Sequence, residues 1–228
     1  RAKRRFRGVE GFADRGDRRV HYCITGDGPP LLLLPGLGGG ARMFGTLPRR
    51  FAKHGRRAIT YDPVGMPPSS PLPGEFRFAD AAADVLAVVD AAGVDRIDLI
   101  GTSLGGTVAL QIAATSPARV RHVALLASAA VVSARSRRIY RFFEAVAGGI
   151  APERFADVVI PFMFGRTFHV AHPGVVDDIS RAMRPSAEVR ALMLAQARAL
   201  LGFDGRDLAA SVRAPALCAA GLEDTLTD

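Results

Sequence analysis

The sequence predicts an α/β protein, a mostly parallel sheet flanked by helices with a block of helices inserted into it. Short apolar runs alternate with amphipathic helical patterns over residues 1–129, which is the sign of βαβ units. From about Ala130 to Phe203 consecutive helical patterns replace that rhythm, and it returns over residues 204–228. Residues 1–129 and 204–228 are therefore expected to form the core, and 130–203 a helical insertion.

The elements follow in order. "VHYCITGDG", from Val20 to Gly28, reads as a strand running into a glycine turn. "LLLLPG" is apolar on both faces, as a central parallel strand is. A helix ends near His54 and Gly55, and "RAITYD" is the next strand. In "DAAADVLAVVDAAG", an amphipathic helix, Asp80 is expected as the N-cap and Gly93 as the stop. Strand "RIDLIG", the apolar helix "LGGTVALQIAATS" stopped by Pro117, and strand "VRHVALLAS" complete the first part. The inserted patterns are "RRIYRFFEAVAG", "PERFADVVIPFMFG", "GVVDDISRAMR" and "EVRALMLAQARALLG". "RDLAASVRAPALCAAG" then supplies a short helix, a proline and a strand expected to be buried.

Composition narrows the function. With 49% of its 228 residues hydrophobic, the chain has material for one substantial core. The net charge of +8 comes almost wholly from arginines, which beyond "RAKRRFR" are scattered singly among acids without aromatic interleaving. That pattern suits a solvated surface, so no nucleic-acid partner is expected. No apolar run approaches the roughly 18 residues of a membrane span, and no secretory pattern opens the chain, so no membrane partner and a cytoplasmic location are expected. Cys23 and Cys218 are expected to be buried free thiols. No metal or organic cofactor is expected.

The chemistry concentrates at "GTSLGG", which follows an expected strand and opens an expected helix. A serine on such a tight turn stands exposed at the end of the sheet, with small flanking residues to avoid clashes and the helix N-terminus beside it. Ser103 is thus the candidate nucleophile. Acyl transfer also needs donors aimed at the developing oxyanion; the strand end at Pro35, Gly36 and Leu37 offers the N–H of Leu37, and the elbow offers that of Leu104.

From about Val9 onward the chain resembles the α/β-hydrolase superfamily, of the bacterial esterase, lactonase and haloperoxidase-like type. The Pro35-Gly36-Leu37 turn is similar to the family's His-Gly-x motif with proline in place of histidine. "YDPVGMPPSS" resembles its Asp-x-x-Gly-x-Gly-x-Ser loop with Pro67 in place of the second glycine. "GTSLGG" resembles its nucleophile elbow, and the inserted helices its cap. "GLEDTLTD" is similar to the Gly-x-x-Asp segment after the seventh strand, which implies Asp224 as the triad acid. A serine at the elbow sets the chain apart from haloalkane dehalogenases and epoxide hydrolases, which attack with a carboxylate. The resemblance implies a serine hydrolase of carboxylic esters or lactones: Ser103 attacks, a histidine takes its proton, and Asp224 holds that histidine.

In the family that histidine follows a further strand. The sequence supplies no such strand, final helix or histidine after Asp224, and the expectation is a chain that stops before its base. Of the five histidines, His21, His54 and His122 are expected to be structural or solvated, whereas His169 and His172 could overhang Ser103 from the insertion. Phe142, Phe143, Phe162, Met163, Phe164 and Met193 are expected foremost as core of the insertion and secondarily as a pocket for a small apolar ester or lactone. The competing function is a non-catalytic small-molecule-binding protein on the same fold. The unpaired outer edge of "PALCAAG" adds an expectation of self-association.

Overall fold

In the computed structural model, which describes residues 8–147, 149–151 and 154–227, seven strands form one sheet. They are β1 (Val9–Arg15), β2 (Arg18–Thr25), β3 (Pro30–Leu34), β4 (Arg57–Tyr61), β5 (Ile97–Thr102), β6 (Val120–Leu126) and β7 (Ala216–Ala219). Their spatial order is β1-β2-β4-β3-β5-β6-β7. β1 and β2 pair antiparallel, as do β2 and β4, and every other pairing is parallel. The basic stretch "RAKRRFR" lies outside the described residues, as do Gly148, Pro152 and Glu153 of two expected helices and Asp228.

The four leucines of β3 are buried on both faces of the sheet. Leu31 and Leu33 pack with Ala58 against Phe44, Leu47 and Phe51, on the side of α1 (Leu47–Lys53). Leu32 and Leu34 join the main core with Val85, Val88 and Val89 of α2 (Phe78–Ala91) and Val108 and Ile112 of α3 (Leu104–Thr115). α2 ends where Gly93 adopts φ +67, the left-handed conformation glycine accepts without penalty. Its N-cap is Arg77, not Asp80. Asp80 lies inside the first turn, where its charge still favours the helix N-terminus, and it faces Arg15 at 3.3 Å. The buried Asp84 one turn on takes Arg18 at 2.8 Å and Arg15 at 2.7 Å, which anchors the β1–β2 hairpin to α2.

The sheet differs from the sequence expectation at both edges. β1 has no counterpart in it, because "VEGFADR" lacks a continuous apolar run and only Ala13 is buried. β7 was expected buried, but all four of its residues are exposed, Leu217 by 61%. It pairs with β6 on one side, and among the described residues nothing shields its faces. Cys218 is therefore exposed; Cys23, on β2, is half-buried, and both are free thiols.

Between β6 and β7 run α4 (Ala134–Ala147), α5 (Phe155–Met163), α6 (Arg166–Ala171), α7 (Pro173–Ala182), α8 (Ala187–Leu201) and α9 (Arg206–Ser211). α6 is additional to the expected helices. The two ends of the helical stretch meet at a Val131–Asp204 bridge, and the Gly205 N–H donates to the Ala130 carbonyl at 2.7 Å. Ala156, Ile160 and Val176 form a small separate core under α5 and α7. Among the described residues no helix is long and apolar enough to cross a membrane.

The burial contrast yields a direct test by chemical denaturation. Leu32→Ala, at 0% exposure, should lower stability by about 2–5 kcal/mol. Leu217→Ala on β7 should change it by less than about 0.5 kcal/mol.

Candidate active site

β5 ends at Thr102 and α3 begins at Leu104, so one residue makes the turn between them. That residue, Ser103, has φ 53 and ψ −122, a conformation that costs a non-glycine residue about 1–3 kcal/mol. The surroundings hold it there. Its N–H donates to the Leu126 carbonyl at 2.8 Å, and its own carbonyl accepts from the Gly106 N–H at 2.8 Å and from the Ser128 hydroxyl at 2.8 Å. The flanking glycines are required by contact. A Cβ on Gly101 would collide with the Gly105 backbone, and one on Gly105 with the Leu34 and Pro35 carbonyls.

The loop after β3 passes directly over the nucleophile candidate, since a Cβ on Gly36 would stand 3.5 Å from Ser103 Cβ. The loop's own donors are largely engaged. The Gly39 N–H donates to the Gly36 carbonyl at 2.9 Å, that of Gly38 to Gln196 Oε1 at 2.8 Å, and that of Ala41 to Asp62 Oδ1 at 2.9 Å. The N–H groups of Leu37 and Leu104 enter no hydrogen bond among the described residues. Asp62 is itself buried, and its second oxygen holds His21 Nδ1 at 2.8 Å. His21 is thus tied into the loop's support, in keeping with a structural role.

Asp224 lies beyond β7 and lines the same cavity as Ser103 and Leu37. Its carboxylate is fixed by its own loop: Oδ1 accepts from the Leu226 and Thr227 N–H groups at 2.8 and 3.0 Å, and Oδ2 from the Thr227 hydroxyl at 2.5 Å. The neighbouring Glu223 reaches α6, where it takes the Thr167 N–H at 2.9 Å and hydroxyl at 2.6 Å; these bonds hold its carboxyl below the usual range. Tyr140 lines the cavity beside Asp224. Burial first, and the Asp224 charge second, push its hydroxyl up to about 12, so the phenol is neutral at physiological pH.

No histidine hydrogen-bonds to Ser103 or Asp224 among the described residues. His54 caps the end of α1, and His122 pairs with Asp98 at 2.9 Å near the start of β6. His169 packs edge-on to Phe164, with Nε2 buried and unpartnered. His172 lines the cavity beside Phe168. Of the apolar residues, Phe143, Phe162, Met163, Phe164 and Met193 line the cavity, and Phe143 and Phe162 also pack on each other at 5.3 Å. Phe142 is 45% exposed and is not among the lining residues. Gln196 and Tyr140 were not singled out from the sequence. Gln196 lies three residues beyond Met193, on the same helix face, and that spacing was the available signal.

A model of the alpha/beta hydrolase fold family matches residues 29–167. A protein of Azorhizobium caulinodans named "Putative carbamate hydrolase RutD" is 29% identical over 216 residues, covering 94% of this chain and 81% of its own. Among solved structures, a hydrolase from Pseudomonas aeruginosa PA01 superposes with a TM-score of 0.82 at 25% identity, covering 96% of this chain and 82% of that one. The enol-lactonase from Burkholderia xenovorans LB400 does so with a TM-score of 0.80 at 24% identity, covering 93% and 81%. This last likeness is one of fold.

The strained turn predicts an unusual substitution effect. Ser103→Gly should raise stability by about 1 kcal/mol, because glycine accepts φ 53 freely and this relief exceeds the entropy it adds to the unfolded chain. Ser103→Ala keeps the strain and should not. Denaturant midpoints of the two variants check this.

Proposed function

The chain belongs to the α/β-hydrolase family, and from that premise we propose that it is a serine hydrolase acting on carboxylic esters or lactones. Ser103 is the nucleophile, Asp224 the triad acid, and the backbone N–H groups of Leu37 and Leu104 bind the oxyanion. The observation that carries this reading is the backbone of Ser103, held at φ 53 between β5 and α3 beside two N–H groups that enter no hydrogen bond among the described residues. A strained residue over-determined by its surroundings is characteristic of a reacting group.

In the reaction the Ser103 oxygen bonds to the carbonyl carbon as its proton passes to a base. The carbonyl oxygen takes up negative charge opposite the two N–H donors. The bond to the leaving alcohol then breaks, the alcohol departs with the proton, and water releases the acyl group from Ser103 by the same steps. In the family the base is an imidazole oriented by the triad acid. The fixed carboxylate of Asp224 suits that task, whereas the neutral phenol of Tyr140 does not compete for it. This chemistry uses neither metal nor organic cofactor. Phe143, Phe162 and Met193 on the cavity wall favour an apolar acyl chain or ring. The Azorhizobium caulinodans relative is named a putative carbamate hydrolase, and a carbamate is also cleaved at a carbonyl.

A second reading is a non-catalytic binding protein. It is favoured by the absence, among the described residues, of a histidine hydrogen-bonded to Ser103 or Asp224.

Labelling with an alkyl fluorophosphonate, mapped by mass spectrometry, separates the two. The hydrolase reading expects slow labelling at Ser103, absent in Ser103→Ala, with ester turnover depressed by up to about a million-fold, since among the described residues no histidine is hydrogen-bonded to Ser103 or Asp224. Fast turnover abolished by His172→Ala would assign the base to the helical segment. Ester analogues that bind with no labelling of Ser103 would leave the binding reading standing.

A further inference from the structure

We propose that Gln196 is a positioning residue for the oxyanion loop: its side-chain amide grips the Gly38 N–H and leaves the Leu37 N–H as the donor for the substrate. This rests on the reading of Ser103 as nucleophile.

Gln196 stands on α8 among Leu192, Ala197 and Leu200 and is 0% exposed. Its Oε1 accepts from the Gly38 N–H at 2.8 Å, but its Nε2 is buried with no partner among the described residues. A leucine would bury more apolar surface and avoid the unpaired Nε2, a net cost where it is buried, but it would leave the Gly38 N–H without its acceptor. What the amide supplies, and leucine does not, is an acceptor for one particular N–H of the loop over Ser103.

The rest of the loop fits that role. Gly38 has φ +66, and a Cβ there would run into the Met193 side chain. Met193 and Gln196 are three residues apart, so one face of α8 meets Gly38 with two side chains. At the far end Asp62 fixes the Ala41 N–H, and between them the Gly39 N–H closes on the Gly36 carbonyl. Of the three N–H groups from Leu37 to Gly39, two are engaged and that of Leu37 has no partner among the described residues. Three successive glycines, Gly38 to Gly40, would otherwise leave this stretch conformationally loose. A loose donor stabilises charge poorly, because oxyanion stabilisation depends on donors already in place when charge develops.

A role confined to packing and one in positioning the donor differ in what they do to bond formation. In Gln196→Leu, the labelling rate of Ser103 at saturating fluorophosphonate should fall roughly tenfold to a hundredfold. The half-saturating concentration should stay within about twofold, since ground-state binding uses the cavity wall and not the developing charge. Equal labelling rates in the two proteins would overturn the proposal while leaving Ser103 as nucleophile. Failure of the unsubstituted chain to label would overturn the nucleophile reading, and this one with it. Should the variant not fold, amide exchange in the unsubstituted chain decides. The Gly38 N–H should exchange at least about tenfold more slowly than that of Leu37 after correction for intrinsic rates, and equal rates would show that the grip is not made.

Discussion

The close contact between the first turn of α3 and the ends of β3 and β5 is the constraint on which the rest depends. The backbones approach so nearly that a Cβ on Gly101 or Gly105 would meet peptide atoms. A chain that must leave a strand and enter a helix in one residue at that distance has few conformations available. Ser103 takes one of the costly ones. Four hydrogen bonds secure it: its N–H donates to the Leu126 carbonyl, and its carbonyl accepts from the Gly106 and Thr107 N–H groups and the Ser128 hydroxyl. The same proximity explains why α3 is buried around most of its circumference, with both glycines and the run from Thr107 to Leu110 inside. Helix position and the strained backbone of Ser103 thus share one cause.

The loop after β3 depends on a second centre, Asp62. This buried carboxylate uses both oxygens, one on the Ala41 N–H and one on His21, while its backbone N–H donates to the His21 carbonyl at 3.0 Å. A buried charge is tolerated only when so fully engaged. Asp62 therefore joins β2, the end of β4 and the loop into one unit. On the other side the loop leans on α8 through Met193 and Gln196. The loop is held between the sheet and the helical segment, so a movement of α8 would be felt at Gly38.

Much of the fold was legible because it rests on local signals. The four leucines of β3 and the amphipathic pattern of α2 state their burial directly, and the glycines around Ser103 mark a turn with little freedom. The seating of Asp224 beside the same cavity followed from a family resemblance, not from any pattern in its neighbours. What remained illegible was tertiary. "EVRALMLAQARALLG" offers Gln196 as an ordinary polar position, and only the packing of α8 on the loop puts it out of reach of solvent. "PALCAAG" reads as a buried strand because its residues are apolar, yet burial needs a covering element, and among the described residues β7 has none. Asp80 carried the right residue type for a cap, but the helix begins two residues earlier and the carboxylate answers to Arg15 and Arg18 instead.

The central claim is that Ser103, Leu37 and Leu104 together form one site for a tetrahedral anion. The most direct measurement is a crystal structure of the chain phosphonylated at Ser103. The account predicts one phosphoryl oxygen within about 3 Å of both the Leu37 and Leu104 nitrogens, with the apolar substituent against Phe143 and Met193. An adduct whose oxygens turn to solvent, or whose Leu37 N–H points away from phosphorus, would contradict it.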